Sequence, residues 1–242
     1  MDHFQFDFAL ILVLASAFTG VIWAIDKFAL RKRRAPDAKE PVLIEYCRSF
    51  FPVLFGVLLI RSFLAEPFRI PSSSMMPTLV TGDFILVNKF AFGLRLPVSN
   101  ARVVEIGHPK RGDVIVFRFP GNGPNDKTKG VDYIKRVIGV PGDRIEVRNQ
   151  MVSLNDETLT EPYVQHTDLA SMAGNVRDNL GSVTVPPDTY FVLGDNREES
   201  LDSRFLGPIS KERILGQAVS IYWSVDPSTR TPRWDRLNQP VQ

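Results

Sequence analysis

Val131-Asp132-Tyr133-Ile134-Lys135-Arg136-Val137-Ile138-Gly139-Val140 is a run of β-branched and aromatic residues closed by the turn chemistry of Pro141-Gly142-Asp143, and it reads as a β-strand. Strand alternation places Val131, Tyr133, Lys135, Val137 and Gly139 on one face and Asp132, Ile134, Arg136, Ile138 and Val140 on the other. Lys135 therefore has an aromatic and a β-branched neighbour on its own face. If that face is buried, desolvation disfavours the ammonium and lowers its pKa by up to about 3–5 units, which turns the amine into a general base. The commoner fate of a lone strand lysine is a packed stem with its head in water.

The same pattern recurs on both sides. Residues 84–87, 113–119, 144–147, 190–193 and 218–223 are short β-branched or aromatic runs, with turn signals at 141–143 and at Asn155-Asp156. An all-β, mainly antiparallel domain over residues 67–225 follows. Residues 149–185 are more polar and lack periodicity, so they read as an insertion or small appended subdomain. Residues 226–242 read as a loosely held polar tail. The Gly-rich stretch 121–130 follows a strand but opens no helix, which makes it a loop and not a phosphate cradle.

Ahead of this domain the composition changes. Residues 8–25 carry no charged side chain and as a helix approach the ~30 Å thickness of bilayer hydrocarbon. A cleavable signal peptide needs basic residues before its apolar run. Here Asp2 and Asp7 precede it and Arg31-Lys32-Arg33-Arg34 follow. The reading is a retained first anchor, with residues 1–7 as an external tail and 26–48 as a basic cytoplasmic loop. Residues 49–60 form a second apolar stretch that Arg61 extends by snorkelling, giving a second transmembrane helix over 49–66. The alternative is an interfacial or re-entrant helix. If the segment spans, everything after Glu66 lies on the outer face.

The chain has 242 residues with 29 Lys+Arg against 27 Asp+Glu, a formal net charge of +2. Seven of those bases fall in residues 26–48, so the remainder is close to neutral and offers no surface for tracking nucleic-acid phosphates. The single cysteine, Cys47, excludes an intrachain disulfide, and with His3, His108 and His166 it forms no zinc-ligand spacing.

Two further segments carry possible chemistry. Pro71-Ser72-Ser73-Ser74-Met75-Met76-Pro77-Thr78-Leu79 reads either as an ordinary Ser/Pro surface turn or as a nucleophile loop. Its two methionines are expected to be exposed, dipping into headgroups or lining an apolar groove. Gly194-Asp195-Asn196-Arg197-Glu198-Glu199-Ser200-Leu201-Asp202-Ser203-Arg204 is acid-rich, but Arg197 breaks the order of a calcium loop. Asp202 and Arg204 can pair and pin it. A Ser-His-Asp triad lacks a usable histidine, since His108 sits in a Gly-His-Pro turn and His166 in the irregular insertion. A Ser-Lys pair is the remaining option, and Ser74 with Lys135 fits it chemically, although spacing alone does not bring them together.

Taken in this order behind two anchors, the segments at 74–79, 82–87, 111–117, 133–143 and 194–204 resemble the bacterial type I signal peptidase family, also called leader peptidases. The resemblance implies that Ser74 is the nucleophile and Lys135 the general base. It implies an oxyanion hole from the Ser72 hydroxyl and the Ser74 N–H, a Ser200 hydroxyl that orients the Lys135 amine, and Asp202 with Arg204 holding that loop. Ile70, Met75, Leu79, Tyr133 and Ile134 would line shallow pockets for small substrate residues at −1 and −3. No cofactor or metal is implied. The implied partners are signal peptides of secretory preproteins and membrane phospholipids, with a translocon contact left open. The implied place is the bacterial cytoplasmic (inner) membrane, multi-pass, with the catalytic domain on the periplasmic side. Glu198-Glu199 departs from the more usual Asp-Asn, and the disulfide found in some relatives' insertion cannot form. Two other readings remain: an anchored peptide-binding β-domain without activity, and a dedicated maturation peptidase for pilus or conjugation proteins.

Overall fold

The computed structural model describes residues 8–34, 39–60, 65–95, 102–121, 126, 128–166 and 175–242. The expected external tail, residues 1–7, lies outside them, as do parts of the 121–130 loop and of the insertion. The helices are α1 (Phe8–Ile25), α2 (Val42–Leu59) and the short α3 (Ser203–Leu206). The strands of the first half are β1 (Ala65–Arg69), β2 (Asp83–Asn88), β3 (Leu94–Arg95), β4 (Arg102–Val104), β5 (Val114–Arg118), β6 (Asp132–Gly139) and β7 (Arg144–Arg148). They are followed by β8 (Met151–Leu154), β9 (Glu157–Thr158), β10 (Leu180–Thr184), β11 (Thr189–Leu193), β12 (Ile209–Ser210), β13 (Ile214–Ser224) and β14 (Gln239–Pro240). The chain divides into two units, Met1–Ala65 with Gly93–Glu105, and Glu66–Phe92 with Ile106–Gln242.

In the first unit α1 and α2 are each long and apolar enough to cross a membrane, with a mean hydropathy of 1.7 over Leu10–Leu30 and over Val42–Leu59. Leu14, Phe18, Val21 and Val53 stay exposed on them, as suits side chains that face hydrocarbon. The two helices pack through Trp23, whose ring stacks on Phe51 at 5.4 Å. Gly20 makes room for this, since a Cβ there would come within 2.7 Å of the Phe51 ring. The second helix begins at Val42, ahead of the expected Ser49, because Pro41 caps it in an extended conformation and the helix accommodates Glu45 and Arg48. Its expected continuation through Arg61 lies outside the described residues, and Ala65 already opens a strand.

The second unit is built on a half-barrel sheet in the order β1-β2-β13-β5-β6-β11-β12, with β14 added to β13. β13 pairs antiparallel with β2, β5 and β14, and β6 with β5 and β11. β6 is buried on both faces from Ile134 to Gly139, whereas alternation alone suggests one buried face. Ile134 joins a core with Ile70, Met75 and Leu79, while Val137 joins another with Phe117, Tyr190 and Val192. The turn after β6 forms as its sequence predicts, with Gly142 at φ +90 and the Asp143 N–H donating to Val140 O at 3.0 Å.

Residues 149–185 carry regular structure that their weak periodicity did not announce: β8, β9 and β10 join β7 in a second antiparallel sheet ordered β10-β7-β8-β9. Asn149-Gln150 and Asn155-Asp156 all take positive φ, giving tight two-residue hairpins, and only the second was legible as a turn. Residues 226–242 are not a loose tail. β14 pairs with β13, and Arg236 reaches the fully buried Asp83 with Nη2 2.7 Å from Oδ2.

Candidate active site

Ser74 lies in the turn-rich segment between β1 and β2, and Lys135 lies in the middle of β6. Both are buried, at 7% and 3% exposure. The Lys135 Nζ donates to Ser74 Oγ at 2.7 Å and to the carbonyl oxygen of Ile134 at 2.9 Å. Desolvation lowers the amine from its ordinary 10.5 to about 8, against the upward pull of the Asp202 and Asp195 carboxylates. The neutral form, about a tenth of the amine at pH 7 and half near pH 8, lies at hydrogen-bond distance from a hydroxyl and can take that hydroxyl's proton.

Beside the pair runs a groove of about 270 Å³ lined by Ser72, Ser74, Tyr133, Ile134 and Lys135, with Glu199 and Leu201 among the residues of its wall. The Ser72 and Ser74 hydroxyls stand 3.5 Å apart. Glu199 accepts from the Ser73 hydroxyl at 2.5 Å.

The expected pocket residues divide. Tyr133 and Ile134 line the groove. Ile70, Met75 and Leu79 are core residues, with Met75 and Leu79 fully buried, so they back the site and do not face it. The expectation of two exposed methionines is corrected with them: Met75 is fully buried in one core with Ile85, Val87, Val114 and Val116, as suits an unbranched apolar side chain, and Met76 is half-buried.

Asp202 and Arg204 pair as expected, through Arg204 Nη2 and Asp202 Oδ2 at 2.8 Å and Arg204 Nε and Asp202 Oδ1 at 2.9 Å. Asp202 also accepts the N–H of Gly194 at 3.1 Å, and Arg204 donates to the Arg197 carbonyl at 2.6 Å, so the loop is closed on itself. Ser200 is buried beside them, but its hydroxyl has no hydrogen-bond partner, and the expected bond to the Lys135 amine is absent. His166 is held by Glu198, Nδ1 to Oε1 at 2.8 Å, and does not line the groove.

Sequence reasoning missed another buried ion pair. Arg136 donates through Nε and Nη2 to both carboxylate oxygens of Asp195, at 2.8 and 2.7 Å, and Asp195 also accepts the Thr78 hydroxyl at 2.6 Å. A charge inside a strand this rich in β-branched residues was the available signal, since a buried Arg demands a partner. Asn196 was missed as well: its N–H donates to Ser74 O at 3.2 Å and its amide to Ser73 O at 3.3 Å.

An apolar-anchored half-barrel with a groove beside a buried hydroxyl–amine pair has the means of a membrane-bound serine hydrolase acting on peptides. Comparison with known proteins points the same way. The chain matches the family described as signal peptidase, peptidase S26, over residues 43–223. Signal peptidase I of Pseudomonas fluorescens is 39% identical, over 96% of this chain and 98% of that protein. Signal peptidase I P of Bacillus subtilis subsp. natto is 36% identical, over 76% of this chain and 91% of that protein. A solved signal peptidase I from Enterococcus faecalis V583 is 32% identical with a TM-score of 0.37, covering 47% of this chain and 98% of that one. The chain belongs to the S26 signal peptidase family: it is a serine endopeptidase of membranes, and the substrates of its class are preproteins that carry signal peptides.

Proposed function

We propose that the chain removes signal peptides at the outer face of the bacterial cytoplasmic membrane with Ser74 as nucleophile and Lys135 as general base, cutting after small residues at −1 and −3. The 2.7 Å approach of Lys135 Nζ to Ser74 Oγ, with both side chains buried at the wall of the groove, carries this reading. The neutral amine takes the Ser74 proton as Oγ attacks the scissile carbonyl. The Ser72 hydroxyl and the Ser74 N–H stabilise the oxyanion. The Lys135 ammonium then protonates the leaving amine, and water repeats the sequence on the acyl-enzyme.

The register of β6 supports an extended substrate. On one side β5 pairs with β6 from Asp132 to Arg136; on the other, β11 begins only at Arg136, opposite Leu193. The edge at residues 132–135 therefore lacks a β11 partner, and a peptide can add there as a strand, with main-chain bonds for affinity and pockets for specificity. With Ile70, Met75 and Leu79 committed to the core, the wall cannot deepen, and large side chains at −1 clash. The basic residues between α1 and α2 favour the cytoplasmic side, which returns the chain to the outer face after α2. Sharing a bilayer with the substrate raises the effective concentration of both.

The test uses the full chain in lipid vesicles with a preprotein substrate. Ser74→Ala and Lys135→Ala are each expected to abolish cleavage while the thermal melt persists, and normal turnover by either variant would refute the roles. Depletion in cells, read as the range of precursors that accumulate, separates a general enzyme from a dedicated one.

A further inference from the structure

Residues 161–166 leave the small sheet and lie along the loop that holds Ser74. Gln165 brackets Asn196 as a parallel bridge: the Gln165 N–H donates to Asp195 O at 2.9 Å and the Arg197 N–H donates to Gln165 O at 3.2 Å. Asn196 is the residue whose N–H and side-chain amide hold the carbonyls of Ser74 and Ser73. Glu161 grips the same loop, accepting from the buried Arg197 Nη2 at 2.6 Å, while Arg197 Nε donates to Gly194 O at 3.1 Å.

Tyr163 takes a second route. Its ring lies 3.9 Å from the Arg136 guanidinium carbon, and its hydroxyl donates to Glu161 at 3.0 Å. The edge of that guanidinium is already spent on Asp195, Thr78 and the Gly112 carbonyl. A buried cation so placed needs its face covered by something that attracts it without competing for its donors, and an aromatic ring does this. Covered in this way, Arg136 stays planar against Asp195, and Asp195 keeps its hold on Thr78, four residues beyond Ser74 in the chain. Burial and the neighbouring Glu161 push the Tyr163 hydroxyl well above its ordinary range, so it remains a donor.

We propose that residues 161–166 form a strap that positions the nucleophile, with Tyr163 as its principal positioning residue acting through Arg136, Asp195 and Asn196. The inference rests on the assignment of Ser74 as nucleophile. Glu161, Tyr163 and Gln165 do not line the groove, so the strap acts on the reacting geometry and not on substrate affinity.

The test is kinetic, on the 242-residue chain with a preprotein or peptide substrate, well below the melting temperature of each variant. Tyr163→Ala is expected to lower kcat by about tenfold or more, since small displacements of a nucleophile are that costly, with KM within about twofold of the parent. Tyr163→Phe keeps the ring over Arg136 and is expected to restore most of kcat, and a kcat loss in Tyr163→Ala that persists in fully folded protein is what a simple loss of stability would not predict. Glu161→Gln removes the charge that both Arg197 and the Tyr163 hydroxyl bond to while leaving the ring over Arg136, and serves if Tyr163→Ala does not fold; it should show the same kcat-specific loss, smaller in size. Unchanged kcat in the folded variants, a loss confined to KM, or a Phe variant as poor as Ala would overturn the strap. Failure of the Ser74 assignment reads differently, as cleavage that survives Ser74→Ala.

Discussion

Gly194 and Ser74 approach so closely that a Cβ built on Gly194 would lie 2.5 Å from the Ser74 carbonyl oxygen, and it would also overlap the side chain of Ser200. The first obstacle is backbone and cannot swing aside. This contact, with the Asn196 bonds to residues 73 and 74, fixes where the Ser74 main chain sits relative to the loop 194–204.

Gly194→Ala is therefore expected to destabilise the fold by about 1–3 kcal/mol through overpacking. It should also lower kcat more than that loss of stability explains, because relief of the clash moves Ser74 away from Lys135. Thermal melts and kcat measured side by side check this, and a variant with parental kcat would show that the approach is not needed for catalysis.

The acid limb of the pH–rate profile is expected near 8. Lys135 must be neutral to accept a proton, and its amine is lowered to about 8 by burial, so the rate rises with pH up to that value and levels above it. A limb governed by a group near 10.5 would contradict a desolvated base. The same shift bears on stability. The folded chain holds the Lys135 proton less tightly than the unfolded chain, so the penalty for a buried ammonium is fully present below about pH 8 and disappears as pH rises through 10.5. Lys135→Met, inactive, should be more stable than the parent at pH 7 by about 3 kcal/mol, with the gap closing between those two pH values. Denaturant melts at both ends of the window decide it.

Much of this was legible in sequence, and the rest was hidden for identifiable reasons. β6 was readable because its β-branched residues run unbroken to a Pro-Gly corner. That both its faces are buried was not, since alternation cannot report that β5 and β11 flank the strand and separate cores cover its two sides. Ser74 and Lys135 were readable as residue types, but not their 2.7 Å separation across 61 residues of chain. The β8 and β9 hairpins were obscured by short strands, and Asn149-Gln150 turns with positive φ though it lacks the glycine that usually announces such a turn. Ser200 shows the opposite limit: a bond implied by resemblance is absent from the arrangement seen, where the hydroxyl is buried without a partner.

Ser72→Ala tests the oxyanion donor. With the Ser72 hydroxyl beside Ser74 and lining the groove, its removal is expected to lower kcat by about 10²–10³ while KM changes little. Ser72→Thr retains a hydroxyl and should recover part of the loss. Equal activity of the alanine variant and the parent would leave the oxyanion to main-chain donors alone.

The C-terminal stretch tests the fold and not the chemistry. Asp83 is fully buried, and Arg236 donates to both of its oxygens, Nε to Oδ1 at 3.0 Å and Nη2 to Oδ2 at 2.7 Å. Asp83 in turn accepts the Ser224 hydroxyl at 2.7 Å and the Val80 N–H at 2.9 Å, so it ties the end of the Ser74 segment to β13. Removing the guanidinium by Arg236→Ala leaves a buried carboxylate with neutral partners only, at an expected cost of about 2–3 kcal/mol. Asp83→Asn in the same background should recover part of that loss, because it removes the uncompensated charge. A double variant less stable than Arg236→Ala alone would mean that the pair is not what holds this stretch against the sheet.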